Sequence, residues 1–364
     1  MKHPFIYEDI AANKYFYGRE NDINKLNKYL SQSKNMYLFS KRSVGKTSLV
    51  KEIFRLHKNE FTCIYIDIFD ITSPEDFMTR FLSGIAAAQK GNIKIVTSKL
   101  KKLFSQVTFS FSFNKDQSEI SFIPHISDIS FDKALSEAFS VLKYMSQKQQ
   151  VVLAIDNFHQ VSLFKDKKID ALLRTYIQEP YDISYIFLGD KRNKLIDLFL
   201  YRSPLFEMAT GINLKSLDVN DIYEYNKNYL NISEGINLYL CELCDYDMKL
   251  IQHICHTLMN NYKKKLITTS YVDESINEVI KSKDAAFRVI YDSLTLPQKK
   301  AFKILTQYKQ NIFSQDVLRK YYIEKGSLNS AIQQLRNKDL IDKEETKWFV
   351  KDRAFELWGY MLLC

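Results

Sequence analysis

Met36-Tyr37-Leu38-Phe39-Ser40-Lys41-Arg42-Ser43-Val44-Gly45-Lys46-Thr47-Ser48-Leu49 places four apolar residues, a short polar loop and the start of a helical run in direct succession. The four apolar residues predict a strand buried on both faces, as in a parallel sheet covered by helices. The loop matches the phosphate-cradling pattern G-x-x-x-x-G-K-[ST] at every defined position except the first, where Ser40 stands for Gly. In that pattern backbone N–H groups at a helix start face an anion, the Lys (here Lys46) neutralises the outer phosphates, and the hydroxyl (Thr47) turns to Mg²⁺. A Ser at the first position carries a cost if the loop needs positive φ there. The alternative is a strand–turn–helix with a chance Gly-Lys-Thr.

Outward from this stretch, short apolar runs recur at Thr62–Ile66, Val151–Ile155, Ser184–Leu188 and Ile212–Leu214, separated by longer helical patterns. Near-continuous apolar strands alternating with helices predict an α/β fold with a parallel sheet. One segment breaks the alternation. Val107–Phe113 and Glu119–Ile123, joined by Asn114–Gln117, show period two and predict an inserted β-hairpin. Phe109, Phe111 and Phe113 fall on one face of it, which serves either as a partner-binding or self-association edge or as cover for the domain's own core.

After Asp218 the pattern is helical, with helices expected near Asn220–Tyr229, Glu234–Leu243, Met248–Tyr262 and Ser270–Lys281. The last stretch predicts helices at Leu296–Gln307, Ser314–Tyr321 and Ser327–Lys338. Two strands at Leu340–Lys343 and Lys347–Lys351 follow, then a final helix over Arg353–Leu363. Three helices followed by a hairpin outline a winged helix. The expected domains are therefore 1–217 (nucleotide-binding α/β), 218–283 (helical lid) and 284–364 (winged helix).

The composition agrees with a folded chain. Of 364 residues 46% are hydrophobic and 26% charged, with only nine Gly and six Pro, which excludes a disordered or collagen-like chain and favours helix. No apolar run approaches the ~20 residues that span a bilayer. Five Cys, with no apolar leader, fit reduced thiols and a cytoplasmic setting. The net charge of +9 permits a polyanionic partner without requiring one.

A phosphate loop needs an acid to hold Mg²⁺, and Val151-Val152-Leu153-Ala154-Ile155-Asp156 supplies an apolar strand ending in a carboxylate. The following residue is Asn157, which can orient a water but cannot take its proton, so hydrolysis is expected to be slow or absent. His159, two residues on, is either a group that titrates near neutral pH and substitutes for the base or a surface His with no role, and it is read as the latter.

These residues resemble the archaeal-type AAA+/STAND ATPases, which are P-loop ATPases with a C-terminal winged helix. Phe16-Tyr17-Gly18-Arg19-Glu20 is similar to their F-x-G-R-E box, and Ser43–Leu49 to their phosphate loop. Ile155-Asp156-Asn157-Phe158-His159 is similar to their I-D-E-F-Q strand end with the Glu lost. Phe187-Leu188-Gly189-Asp190, Ser203-Pro204-Leu205-Phe206 and Ile212–Leu214 resemble their sensor strand, S-P-L-Y loop and last strand. Lys347–Asp352 with Phe355 and Trp358 resembles the end of their winged helix. The resemblance implies ATP or ADP with Mg²⁺ as ligands, held by Ser40, Lys41, Arg42, Ser43, Val44, Gly45, Lys46, Thr47 and Ser48. It places adenine near Phe16, Gly18 and Arg19, metal at Thr47 and Asp156, and catalysis at Lys46, Asp156, Asn157 and the sensor Asp190. Arg192 is either a phosphate sensor or an ordinary helix-start Arg. The family's G-x-P turn is absent at Tyr246-Asp247-Met248. With Ser40 and Asn157, this makes three departures that weaken ATP turnover rather than the fold. Many relatives continue into a nuclease domain; none is expected here.

Two further constellations stand out. Cys241, Cys244, His253 and Cys255 have the residue types of a zinc site, but helical spacing equally marks one packed face. In the winged helix, 14 basic residues against 10 acidic give +4, and Asn329, Gln333, Arg336 and Lys338 are side chains that contact bases and phosphates. The alternative is a solvated helix face or a protein contact. The sequence thus supports an ATP-held switch with weak turnover, and leaves open a nucleotide-binding scaffold without catalysis and a DNA-binding regulator with a vestigial nucleotide site.

Overall fold

The computed structural model describes residues 3–89, 93–113, 120–126, 129–344 and 346–362. The chain packs into two compact units. One holds residues 19–40 and 45–215; the other holds 1–18, 41–44 and 216–364.

The first unit is an α/β layer fold. Its strands are β1 (Met36–Phe39), β2 (Thr62–Asp67), β5 (Val151–Asp156), β6 (Ile183–Leu188) and β7 (Thr210–Asn213), all parallel in the order β2-β5-β6-β1-β7. β5 and β6 are buried at every residue, which is why they read as unbroken apolar runs. Asn35 ties three strands at their starts: its amide donates to the Met208 carbonyl (3.0 Å) and accepts from the Tyr185 N–H (3.0 Å). β7 starts two residues earlier than expected, because the Thr210 N–H finds the Asn35 carbonyl.

Helices α1 (Glu20–Leu30), α2 (Lys46–Leu56), α3 (Pro74–Ala87), α4 (Ile93–Leu103), α5 (Phe131–Ser146), α6 (Ile169–Ile177) and α7 (Arg192–Asp197) flank the sheet. The hairpin forms as β3 (Thr108–Phe113) against β4 (Ile120–His125), antiparallel; its connecting turn and Glu119 lie outside the described residues. Phe109 packs edge-on to Phe104 at 5.0 Å and joins the core, whereas Phe111 and Ile123 are each 44% exposed. The Glu137 carboxylate on α5 accepts from the Gln106 N–H (2.9 Å) and Val107 N–H (3.1 Å), pinning the entry to β3.

The second unit begins with α8 (Val219–Asn226), α9 (Glu234–Leu243), α10 (Met248–Asn261) and α11 (Thr269–Ser282). Asp218, Ser233, Asp247 and Thr268 each accept a first-turn N–H, which fixes where these helices start. Then come α12 (Asp284–Asp292), α13 (Leu296–Gln307), α14 (Gln315–Lys320), α15 (Lys325–Asn337), the hairpin β8 (Ile341–Glu344) and β9 (Lys347–Val350), and α16 (Arg353–Met361). α12 was not anticipated. Phe287, Ile290 and Tyr291 recur at helical spacing and pack on the core, but no side-chain cap marks where the helix starts, directly after α11 ends at Ser282. Phe287, Phe302, Phe355 and Trp358 form the aromatic centre of this end.

The thiols of Cys241, Cys244 and Cys255 are fully buried among apolar side chains. Burial raises all three, Cys241 to about 12, so the thiolate a metal would need is disfavoured. Among the described residues no group of three or more Cys, His or acidic side chains could hold a metal ion. These residues are core.

His253 stacks on Tyr7 with ring centroids 3.9 Å apart, 5° from parallel. Burial, with Lys283, His256 and Lys249 adding repulsion, pushes its imidazole down to about 4. The unfolded chain titrates near the ordinary value of about 6.5, so it binds the proton that the fold refuses. This contribution to stability is complete above pH ~6.5 and is lost as pH falls toward 4, about 1–2 kcal/mol after solvent screening. His253→Phe keeps the stack and removes the titration. Its unfolding midpoint is expected to fall less steeply between pH 6.5 and 4.5 than that of wild type, and equal slopes would contradict the assignment.

Candidate functional site

The loop from β1 to α2 is built on two left-handed residues, Ser43 (φ 58°) and Gly45 (φ 98°). Ser40 is not among the positive-φ residues, so serine there carries no backbone cost. Its hydroxyl instead accepts from Lys46 Nζ at 3.0 Å. Lys46 is 4% exposed and also pairs with Asp190 Oδ1 at 2.8 Å, just past the end of β6. The ammonium is thus held by a hydroxyl and a carboxylate, oxygen groups of the kind a phosphate would present. A Cβ built on Gly45 meets nothing within 4 Å, so the glycine is required by conformation rather than space. Gly45→Ala should therefore cost about 1–2 kcal/mol of backbone strain. It is expected to weaken nucleotide binding in a titration while side chains around it stay packed; unchanged affinity would contradict the loop's role.

Thr47 and Asp156 meet across the strand ends, Thr47 Oγ1 donating to Asp156 Oδ2 at 2.7 Å. The Tyr65 hydroxyl donates to the same oxygen at 2.6 Å. Burial and the Asp156 charge raise the Tyr65 phenol, so it stays a donor. Lys51 Nζ sits 3.4 Å from the centre of the Tyr65 ring, and burial lowers its pKa. A hydroxyl and a carboxylate are hard oxygen donors of the kind Mg²⁺ takes beside phosphates and waters. The donor set fits that ion. Tyr65 and Lys51 were missed by sequence reading, since neither carries a spacing signal.

Asn157 follows Asp156 at φ 59°, its N–H bonded to Asp156 Oδ1 (2.8 Å) and its amide donating to Asp67 Oδ1 (2.9 Å). Asp67 ends β2 as Asp156 ends β5, a signal readable in the sequence. His159 is 3% exposed, not a surface residue; its Nδ1 lies 3.1 Å from where a Cβ on Gly189 would stand. Arg192 opens α7 with its guanidinium 5.3 Å from the Phe39 ring centre.

Arg19 is 5% exposed and bonds Asp22 Oδ2 and the Lys215 carbonyl, both at 2.8 Å, so its guanidinium anchors chain. Phe16 is half-buried. In the C-terminal unit Tyr17 stacks on Tyr225 (3.9 Å, 7°) and its hydroxyl accepts from Gln252 (2.8 Å). Gly18 (φ 66°) has no room for a Cβ, which would stand 2.8 Å from Asp221 Cβ. Of the loop's tip, which clusters with that unit, Val44 is buried while Lys41 pairs with Asp245 (3.3 Å) and Arg42 with Asp352 (3.9 Å). Ser48 lies half-buried in the first turn of α2. Where the G-x-P turn is absent, Asp245 (φ 49°) and Tyr246 (φ 57°) make a turn without glycine and Asp247 caps α10.

On α15, Asn329 and Gln333 are exposed on one face. Arg336 pairs with Asp342 (3.4 Å), and Lys338 reaches Gln298 (3.3 Å) and the Ser293 carbonyl (3.4 Å), so both cations are engaged within the domain.

A family model described as an ATPase domain predominantly from Archaea matches residues 16–238. The chain belongs to that ATPase family. A second model, a probable winged helix domain, matches residues 285–360 of this ATPase-family protein. Among solved structures it is similar to the Walker-type ATPase PABY2304 of Pyrococcus abyssi, at 16% identity and TM-score 0.68, covering 98% of this chain and 100% of that one. It is also similar to the Aeropyrum pernix Orc1 protein, solved in complex with DNA, at 10% identity and TM-score 0.52, covering 95% and 93%. At these identities the likeness concerns the fold. No curated protein matches. No helix among the described residues is long and apolar enough to cross a membrane.

Proposed function

We propose that this ATPase-family chain binds Mg-ATP as a STAND-type switch, with slow turnover and a winged helix that contacts a macromolecular partner. The observation that carries it is the buried Lys46 ammonium, held by Ser40 and Asp190 beside the Thr47–Asp156 pair. In this reading Lys46 would take the nucleotide's phosphates in place of Asp190, and Thr47 and Asp156 would hold Mg²⁺. Asn157 in place of a carboxylate supports slow turnover. The ion pairs of Lys41 and Arg42 with Asp245 and Asp352 are largely exposed and worth about 0–1 kcal/mol each, so phosphate binding can exchange them. That exchange supplies the differential contact a nucleotide switch requires. The division into 1–217, 218–283 and 284–364 belongs to the same proposal, supported by the winged-helix match from residue 285. A cytoplasmic setting is supported by the free thiols of Cys63, Cys241, Cys244 and Cys255.

Both tryptophans, Trp348 and Trp358, lie in the winged helix, so their emission reports that domain. Mg-ATP should change it and Mg-ADP should give a different endpoint. Identical emission in both nucleotides, at saturation, would sink the switch.

A DNA partner is favoured over a protein one by the exposed Asn329 and Gln333 and by the net +4 of residues 284–364. Duplex binding should then fall steeply from low to physiological salt and weaken on Gln333→Ala; salt-independent binding would remove this reading.

A further inference from the structure

The position after Asp156 carries an amide, yet a carboxylate stands beside it on the neighbouring strand. Asp67 ends β2 in register with Asp156, one strand spacing away, and the Ile68 N–H bonds the Asp156 carbonyl at 3.1 Å to lock that register. Asn157 Nδ2 donates to Asp67 Oδ1 at 2.9 Å, and the Phe69 N–H donates to the same oxygen at 2.9 Å. Both bonds use Oδ1, and Oδ2 keeps its lone pairs for a water. Asp67 is exposed, so water reaches its carboxylate. The donor direction is fixed by chemistry, since an ionised carboxylate can only accept. Asn157 is set at φ 59°, in the left-handed region that Asn tolerates, and the bond to Asp67 pins its amide group.

Resting on the nucleotide reading above, we propose that Asp67 is the catalytic carboxylate of this site, with Asn157 positioning it and the attacking water. The water oxygen bonds to the terminal phosphorus of the nucleoside triphosphate. The bond from that phosphorus to the bridging oxygen breaks, its electron pair leaving with the diphosphate, and the water's proton passes to Asp67 Oδ2 and then to solvent. The carboxylate and amide thus divide the work between two strands: Asp67 takes the proton and Asn157 holds the geometry.

The test pairs calorimetric Mg-ATP binding with single-turnover phosphate release. Asp67→Asn is nearly isosteric and exposed, so folding should survive; it should bind Mg-ATP within about threefold of wild type and release phosphate at least ~100-fold more slowly, the scale of a lost general base. Asn157→Ala should slow release less, and adding Asn157→Glu to Asp67→Asn should restore it. Release by Asp67→Asn at the wild-type rate would overturn the assignment, as would a wild type that binds Mg-ATP and releases no phosphate. A wild type that binds no nucleotide would instead overturn the underlying reading, and this inference with it.

Discussion

Lys46→Ala is expected to abolish measurable Mg-ATP binding while leaving the fold standing. The ammonium is the buried cation of the loop, 4% exposed and already poised by Ser40 and Asp190. Charge-assisted bonds to phosphate oxygens contribute about 1.5–3 kcal/mol each, so losing two implies roughly 100-fold or more in affinity. Removing one partner of a buried pair is usually severe, because it strands the other charge. Here the partner is not stranded: the Asp190 side chain is 56% exposed and is resolvated when Lys46 goes. Stability should therefore change by less than about 1 kcal/mol. Retained binding, or loss of the fold, would each contradict this account of the loop.

Phe355→Ala is expected to produce the largest stability loss. The ring is 2% exposed, with centroids 4.5 Å from Phe302, 5.2 Å from Phe287 and 5.6 Å from Trp358. Gly359 shows how tight the site is: a Cβ there would stand 2.4 Å from Phe302 Cε1, so the surroundings have already closed on the rings. Truncation leaves a cavity that cannot collapse, at about 3–5 kcal/mol. Because both tryptophans lie in this domain, denaturant unfolding followed by their emission reads the loss selectively. A shift below about 1 kcal/mol would mean that the aromatic centre is not what holds the winged helix together.

The fold was legible wherever burial is two-sided. β5 and β6 are buried throughout, so their runs of Val, Ile, Leu and Phe announced a parallel sheet. The winged helix was legible from three helical patterns and a closing hairpin, whereas α12 was not, since it follows α11 with no cap or turn residue to mark its start. Of the candidate site, only the residues that sit in a spacing pattern were legible. Gly45, Lys46, Thr47 and Asp156 sit in contiguous patterns, but the partners that give them geometry come from distant strands. Tyr65 reaches Asp156 and Asp67 reaches Asn157 through the pairing of β2 with β5, residues 90 or so apart in sequence. A single chain read linearly does not reveal register, so it showed the amide at Asn157 and not the Asp67 carboxylate that the amide bonds. His159 was misplaced for the same reason: its burial comes from packing at Gly189, not from any local pattern.

The central claim is that the loop between β1 and α2 holds a magnesium nucleotide, and titration calorimetry of Mg-ATP into the wild-type chain tests it most directly. Saturable binding at one site per chain is expected, weakened when magnesium is chelated because Thr47 and Asp156 would then lose their ion. No heat of binding at any attainable protein concentration, with the chain shown to be folded, would contradict it.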